Sequence, residues 1–479
     1  IFNSAASATL TRIAAANAVT LQGGTFTING GGASDTVVTL DSVTAQGGAN
    51  TINTLPYISM GSTITLTLGN LAVAPGSHAS VNFNGYSQNN SNGNNTLGGQ
   101  GLTTNSNIFL TRLNGALFSA SNLVNNLIGG WAVADGNTFA SYNNTFGVVA
   151  LGAAYGSFSA PGFTGTDVSA AMVATGNYND GTAARSILAG ANVANSWRFA
   201  PGAAQTITFP TTSTATLGVG IITNAGFSTT LAATDATNSL TAAGNDLYIF
   251  VNQNTLAIQP KIIGTAALVV NGPATLSLRP TFASNTYTGG TFVNAGTLNL
   301  QAAATFFAIP GDLTINNAAV NMSTTPGQIA PTANIFINGG GSFTLPNYSA
   351  ITTQSFVSLT FTNDGGTGNP LFAFGTPTAA STIILTSATP ITASNDSFST
   401  TPLLTGAAAP TLSVLQFSNA SPTITVNSGL AATGLIVSAL IADNAGMTGP
   451  IIKAGAGTLA LTSPESTFTK GLNLTAGSL

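Results

Sequence analysis

Twelve acidic residues, one histidine and no cysteine are the carboxylates, imidazoles and thiols that this 479-residue chain offers for acid–base chemistry or metal binding. Cleavage of a polysaccharide would need two facing carboxylates, or an acidic cluster beside a basic group. Asp35 and Asp41 lie six residues apart, Asp167 and Asp180 thirteen, and Asp235 and Asp246 eleven. Glu465, the only glutamate, has no acid close to it in sequence. His78 stands alone in Pro75-Gly-Ser-His-Ala79 and reads as a turn residue. A Ser-His-Asp triad would have to recruit it, and no Gly-x-Ser-x-Gly elbow is present to support one. Zinc needs Cys or a second His. The stretch Asn363-Asp-Gly-Gly-Thr-Gly-Asn369 offers one carboxylate where a calcium loop of the EF-hand kind uses several and a terminal Glu. The residues therefore predict a non-catalytic chain with no metal and no cofactor.

The elements available to position any site are short alternating strands between glycine and asparagine corners. Only 4% of residues are charged, against about 25% in ordinary globular proteins. Eight Lys and Arg against twelve Asp and Glu, without clusters, argue against nucleic acid or an anionic membrane as partner. So little charge removes the repulsion that keeps molecules apart and points to self-association. Disorder is excluded by a 44% hydrophobic content. The longest apolar run, Leu435-Ile-Val-Ser-Ala-Leu-Ile-Ala442, has the length of a strand and not of a membrane helix. Ile1-Phe-Asn-Ser-Ala-Ala-Ser7 lacks the basic start of a signal peptide.

Along the chain, Val19–Gln22, Thr25–Asn29, Thr36–Leu40, Thr63–Leu68 and Val81–Phe83 read as strands, and residues 88–100 as an Asn/Gly/Ser-rich surface loop. Residues 108–155 are aromatic-rich, with Gly129-Gly-Trp-Ala132, Phe139-Ala-Ser-Tyr142 and Gly147-Val-Val-Ala-Leu151. Trp131, Phe139 and Tyr142 are expected as core, since each ring buries a large apolar area. Arg198, beside Trp197, reads as a solvated arginine on a strand in preference to a guanidinium laid over an aromatic face. The neighbourhood of Asn122–Ile128 is the one place allowed a helical turn. Strands resume from Gln205 to Leu300 and again from Leu313 to Thr462.

Two stretches separated by about 180 residues repeat one pattern: Asn285-Thr-Tyr-Thr-Gly-Gly-Thr-Phe-Val-Asn-Ala-Gly-Thr-Leu-Asn-Leu300 and Ser466-Thr-Phe-Thr-Lys-Gly-Leu-Asn-Leu-Thr-Ala-Gly-Ser-Leu479. Each reads as strand, glycine corner, strand. Val293, Leu298 and Leu300, with Leu474 and Leu479 in the later copy, share the inward face. The corner residues are Gly290, Asn294, Gly296 and Gly477; the chain turns at Gly296 and Gly477 where a positive φ suits only glycine. Such corners predict coils stacked lengthwise. Gly272-Pro-Ala-Thr-Leu-Ser-Leu278 and Gly455-Ala-Gly-Thr-Leu-Ala-Leu461 open the two copies, Pro273 departing from the pattern.

These stretches resemble the autotransporter-associated β-strand repeat, also called the passenger-associated transport repeat, of large bacterial surface proteins. The resemblance implies an all-β, right-handed parallel β-helix with almost no helix. No charged, Pro-rich linker lies at Leu300, so one continuous stack is expected in preference to two hinged domains: residues 1–300, holding the Trp-containing segment 108–155 and a repeat over 272–300, then a shorter unit 301–479 ending in the repeat 455–479. At about 20 to 25 residues per coil and a strand spacing near 4.8 Å, that is roughly 20 coils and a rod on the order of 100 Å. None of the acid pairs has the spacing of residues stacked one coil apart. The expected role is an extracellular structural protein of the bacterial cell surface, a self-assembling segment of a filament, stalk or surface layer. Its partners are then copies of itself, with no nucleic acid and no membrane insertion. The alternative is an autotransporter-type adhesin, displayed singly and binding glycans or other surface components through exposed aromatics; a lyase or glycosidase ranks third.

Overall fold

The computed structural model describes residues 2–4, 16–30, 35–55, 63–85, 97, 106–152, 154, 155, 158–224, 226–323, 325–366, 368–377, 379–406 and 413–479. The loop expected over 88–100 therefore lies outside the described residues, Leu97 excepted. The fold is a parallel β-solenoid of about 16 turns among the described residues. The only helical element among them is the 3-10 turn Ala120–Asn122, next to the place where a turn was expected. Two compact units divide the chain: Ile1–Thr229 with Leu240–Thr255 and Asn271–Ala274, and Thr230–Ser239 with Leu256–Val270 and Thr275–Leu479.

In the first unit, alternation becomes burial. Thr36–Gly47 runs parallel to Ile64–Val73, so that Val38, Leu40 and Val43 lie on Leu66, Leu68 and Leu71. All six are buried. On the facing sheet, Phe26, Ile52 and Phe83 stack in the same way through Thr25–Gly30, Ala49–Leu55 and Ser80–Asn84. A side chain of this size is worth about 1.5–3 kcal/mol when fully buried, and stacking repeats the gain at every coil.

The aromatic segment ends this parallel run. Ala132–Ala134 pairs in parallel with Ser80–Asn84 but antiparallel with Thr138–Asn143, which pairs antiparallel with Gly147–Ala150. Phe139 and Tyr142 are buried, and Trp131 is half-buried against the same core. The Tyr142 hydroxyl donates to the Leu110 carbonyl at 3.2 Å. A second parallel set follows in this unit: Asn177–Asp180, Ala191–Phe199, Thr214–Thr223 and Leu247–Val251, with Tyr178, Trp197, Ile221 and Ile249 in one column. Phe139 of the meander meets Phe250 edge to face at 5.9 Å.

Arg198 departs from its reading. Its guanidinium donates to the Asn137 carbonyl at 3.0 Å and to Asn179 Oδ1 at 2.7 Å, and lies 6.0 Å from the Phe163 ring centroid. Burial lowers its pKa. Folding the meander back onto this strand supplies partners that no local reading contains.

In the second unit, Val293, Ile315, Ile337, Phe361, Ala393 and Val426 form one inward column through successive parallel strands. All six are buried. Coils first repeat every 22 residues, as from Asn316 to Asn338. The period then widens to 32, as from Asn363 to Asn395. The added residues build a third parallel sheet: Thr352–Phe356, Ser381–Leu385, Ser413–Phe417 and Leu440–Ile441. Longer coils in both units, with the antiparallel meander, leave fewer turns than the expected 20. The widening also divides the apolar run 435–442 into Leu435–Val437 on one sheet and Leu440–Ile441 on another. The wider core is filled by aromatic side chains, with Phe343, Phe356 and Phe372 at centroid distances of 5.1 to 6.4 Å.

Candidate functional site

The repeat corners are built alike in both copies. Gly290, Gly296 and Gly477 have φ of +82°, +74° and +76°. A Cβ on Gly477 would stand 2.4 Å from the Gly457 carbonyl oxygen, so close approach as well as φ requires glycine there. The amides of Asn294 and Thr475, at equivalent positions, donate to the carbonyls of Val270 and Lys453 one coil back, at 2.8 and 2.9 Å. The amides of Thr286 and Thr467 reach Ile262 and Ile441 in the same way, at 2.9 and 2.8 Å. Asn294 is buried, and its Oδ1 accepts from Asn316, which in turn accepts from Asn338, an amide ladder along the coils.

The copies differ inside. Val293, Leu298 and Leu300 are buried as expected of inward residues. Leu474 and Leu479 are not: they are 47% and 59% exposed. Leu474 does stand on the inward column, above Lys453 and Ile424. Burial of an inward side chain needs a coil on both sides, and among the described residues none follows this strand. Lys453 itself escaped the sequence reading, although the alternation of Ile451-Ile-Lys-Ala454 places it inward. Its side chain is buried, and Nζ donates to the carbonyls of Ala454, Gly455 and Ala476 at 2.9, 2.7 and 2.9 Å. Burial pushes its pKa down.

The groups considered for chemistry fall into separate structural roles. Asp35 accepts from the Thr63 amide and Asp235 from Thr237. Asp167 and Asp180, thirteen residues apart, are brought together by Arg185, at 3.5 and 3.3 Å. Hydrogen bonds from Ser169 hold the Asp167 pKa down. Asp135 is pushed up by burial while accepting from the amides of Gly85 and Leu97. His78, in a turn with φ +50°, has Nδ1 2.7 Å from Asp246 Oδ2 across 168 residues. The same carboxylate takes a hydrogen bond from Tyr248, whose pKa is raised by burial and then by that carboxylate. Asp246 therefore holds two partners from distant parts of the chain, an arrangement that fixes positions. A pairing over such a separation leaves no trace in local sequence. Among the described residues, no three His, Cys, Asp or Glu side chains group as metal ligands would.

The class defined by these features is a parallel β-solenoid whose glycine corners recur in phase with its coils. Residues 268–300 and 451–479 match the passenger-associated-transport-repeat family, and they are the two stretches whose corners are described above. No curated protein and no solved structure matches the chain.

Proposed function

We propose that this chain is a non-catalytic, extracellular structural segment of a bacterial surface protein of the autotransporter passenger kind, and that copies of it associate. The observation that carries the reading is the pair of passenger-associated-transport-repeat stretches, each closing a coil with the same glycine and the same amide-to-carbonyl bonds. A charged fraction of 4% supports association, since little electrostatic repulsion opposes contact between copies. The acids serve to hold turns and neighbouring strands, which favours a scaffold over a hydrolase.

Antibody raised against the purified chain should label intact cells, and protease added outside should release its peptides before lysis. Labelling only after permeabilisation would overturn the surface reading. Sedimentation velocity across a wide concentration range should show species that grow with concentration; a monomer throughout would remove the association.

A further inference from the structure

We propose that Met172 is a site of reversible sulfoxidation, and that the sulfoxide oxygen takes over from sulfur as acceptor of the Trp197 indole N–H. The inference goes beyond the structural role above and concerns the one place among the described residues where a half-buried sulfur meets a fully buried donor.

Sulfur chemistry in this chain belongs to methionine, since it has four Met and no Cys. Met322 and Met447 are buried in the core of the second unit, at 5% and 2% exposure, and Met60 lies outside the described residues. Met172 is half-buried, between exposed neighbours: Ala170 and Ala171 before it, Val173, Ala174 and Thr175 after it. Two bonds pin this segment to the strand Asn177–Asp180 and its side chains. The Val168 amide donates to Asp180 Oδ2 and the Val173 amide to the Tyr178 hydroxyl, both at 3.0 Å. They hold the backbone on either side of Met172, while its unbranched side chain keeps three rotatable bonds with which to readjust. On the inner side, no part of Trp197 meets solvent, and its ring lies against Phe199 and Phe209 at centroid distances of 5.8 and 6.4 Å. Its Nε1–H donates to Met172 Sδ at 3.3 Å.

A thioether is a weak acceptor, so the buried indole donor is poorly served, and a buried donor without a good partner is costly. A peroxide supplies the better one. The sulfur lone pair attacks one peroxide oxygen; an S–O bond forms, the O–O bond breaks, and the second oxygen leaves as water once it has taken up the proton of the first. Sulfur loses two electrons and hydrogen peroxide gains them. The sulfoxide oxygen carries more negative charge than the thioether sulfur did, and the pinned segment keeps it beside Trp197. At Met172 the added oxygen gains a buried donor and stays close to water. At Met322 or Met447 the same oxygen would be buried among apolar side chains, where an unpaired polar group is expensive. Sulfoxide reductases return the side chain to the thioether, which makes the change reversible.

The test treats the purified full chain with hydrogen peroxide and locates the sulfoxides by peptide mass. Arg112 and Arg185 bracket Met172, so trypsin separates it from Met322 and Met447. Met172 is expected to oxidise roughly tenfold faster than either, as exposure governs susceptibility. With isotope-labelled tryptophan, Trp131 and Trp197 give two indole N–H resonances, and Trp197→Phe shows which is which. The Trp197 resonance should move downfield as Met172 oxidises and return when reductases for both sulfoxide epimers are added. In Met172→Leu, a volume-conserving change, peroxide should leave it in place. Far-ultraviolet circular dichroism and the urea midpoint identify any variant that fails to fold; if Trp197→Phe does, the resonance that loses its peroxide response in Met172→Leu makes the assignment. Oxidation of Met172 no faster than that of Met447 would overturn the proposal. So would a Met172 sulfoxide that leaves both resonances in place or moves the Trp197 resonance upfield, or a downfield shift that persists in Met172→Leu. These outcomes leave the surface role standing, because cell labelling tests it separately.

Discussion

The two repeat copies share a corner and diverge in what surrounds it. In the earlier copy, Leu298 pairs with Leu276 on one side and Val320 on the other, and no part of it meets solvent. In the later copy, Leu479 occupies the equivalent place and is 59% exposed. Asn285 of the earlier copy bridges coils on both sides, accepting from the Ile262 amide and donating to the Ala308 carbonyl, each at 2.7 Å. Its counterpart Ser466 accepts from the Ile441 amide at 3.2 Å. Both copies follow the same chain path, and the burial of Leu298 comes from the coils paired with it on both sides. Burial is a property of neighbouring coils, and hydrophobic stabilisation follows area removed from water.

Four substitutions sharpen or break this comparison. The largest effect is expected from Leu298→Ala, at about 2–5 kcal/mol of stability through lost burial and a cavity. In a purified chain of residues 1–479, where Leu479 is exposed, Leu479→Ala should stay within about 0.5 kcal/mol, as surface changes do. Urea unfolding followed by hydrogen exchange on each copy measures both; equal losses would refute the contrast. Next, Lys453→Val gives the later copy the residue that Val270 supplies in the earlier one, and strips the donor from three carbonyls. A loss of about 1–3 kcal/mol is expected from leaving such groups unpaired. Stabilisation instead would mean that the apolar replacement outweighs the three bonds, as happens when some buried ions are replaced.

The smallest effect concerns pH. Tyr287 is buried, its hydroxyl 2.6 Å from Thr291 Oγ1, and burial raises its pKa, while the later copy has Phe468. An unfolded tyrosine loses its proton near pH 10. Above that value the native state holds the proton and the unfolded state does not, so stability falls as pH rises. Tyr287→Phe should therefore shrink the loss of stability between about pH 10 and 11 without abolishing it, because Tyr142, Tyr248 and Tyr348 shift the same way. An unchanged alkaline slope in urea titrations would show that Tyr287 ionises as freely as in the unfolded chain.

Much of the fold was legible because its determinants are local. Strand alternation in Thr25-Phe-Thr-Ile-Asn-Gly30 or Ile64-Thr-Leu-Thr-Leu68 reflects a two-residue period that every half-buried strand shows. The glycine corners were legible for a related reason: Gly296 and Gly477 answer to backbone sterics, which act within a residue or two. The coil period was less so. A constant period could be read from the repeat, but the widening from 22 to 32 residues, where Phe343, Phe356 and Phe372 pack together, has no local signature.

The candidate sites were barely legible. Arithmetic on Asp167 and Asp180 found no stacked pair, and it is Arg185, on the strand Ala184–Ser186, that joins them. His78 was read as a turn residue, which its φ agrees with, but its bond to Asp246 depends on two loops meeting.

By itself the sequence determined the short strands, the corners, the parallel coil path and the scarcity of charge, because side-chain alternation and backbone sterics act over a few residues. Only the tertiary structure decided which inward side chains are buried, where Lys453 and Arg198 find acceptors, and which outward columns come into register. Those outcomes depend on neighbouring coils and on segments as distant as Asn137 is from Arg198, 61 residues, which no local pattern encodes.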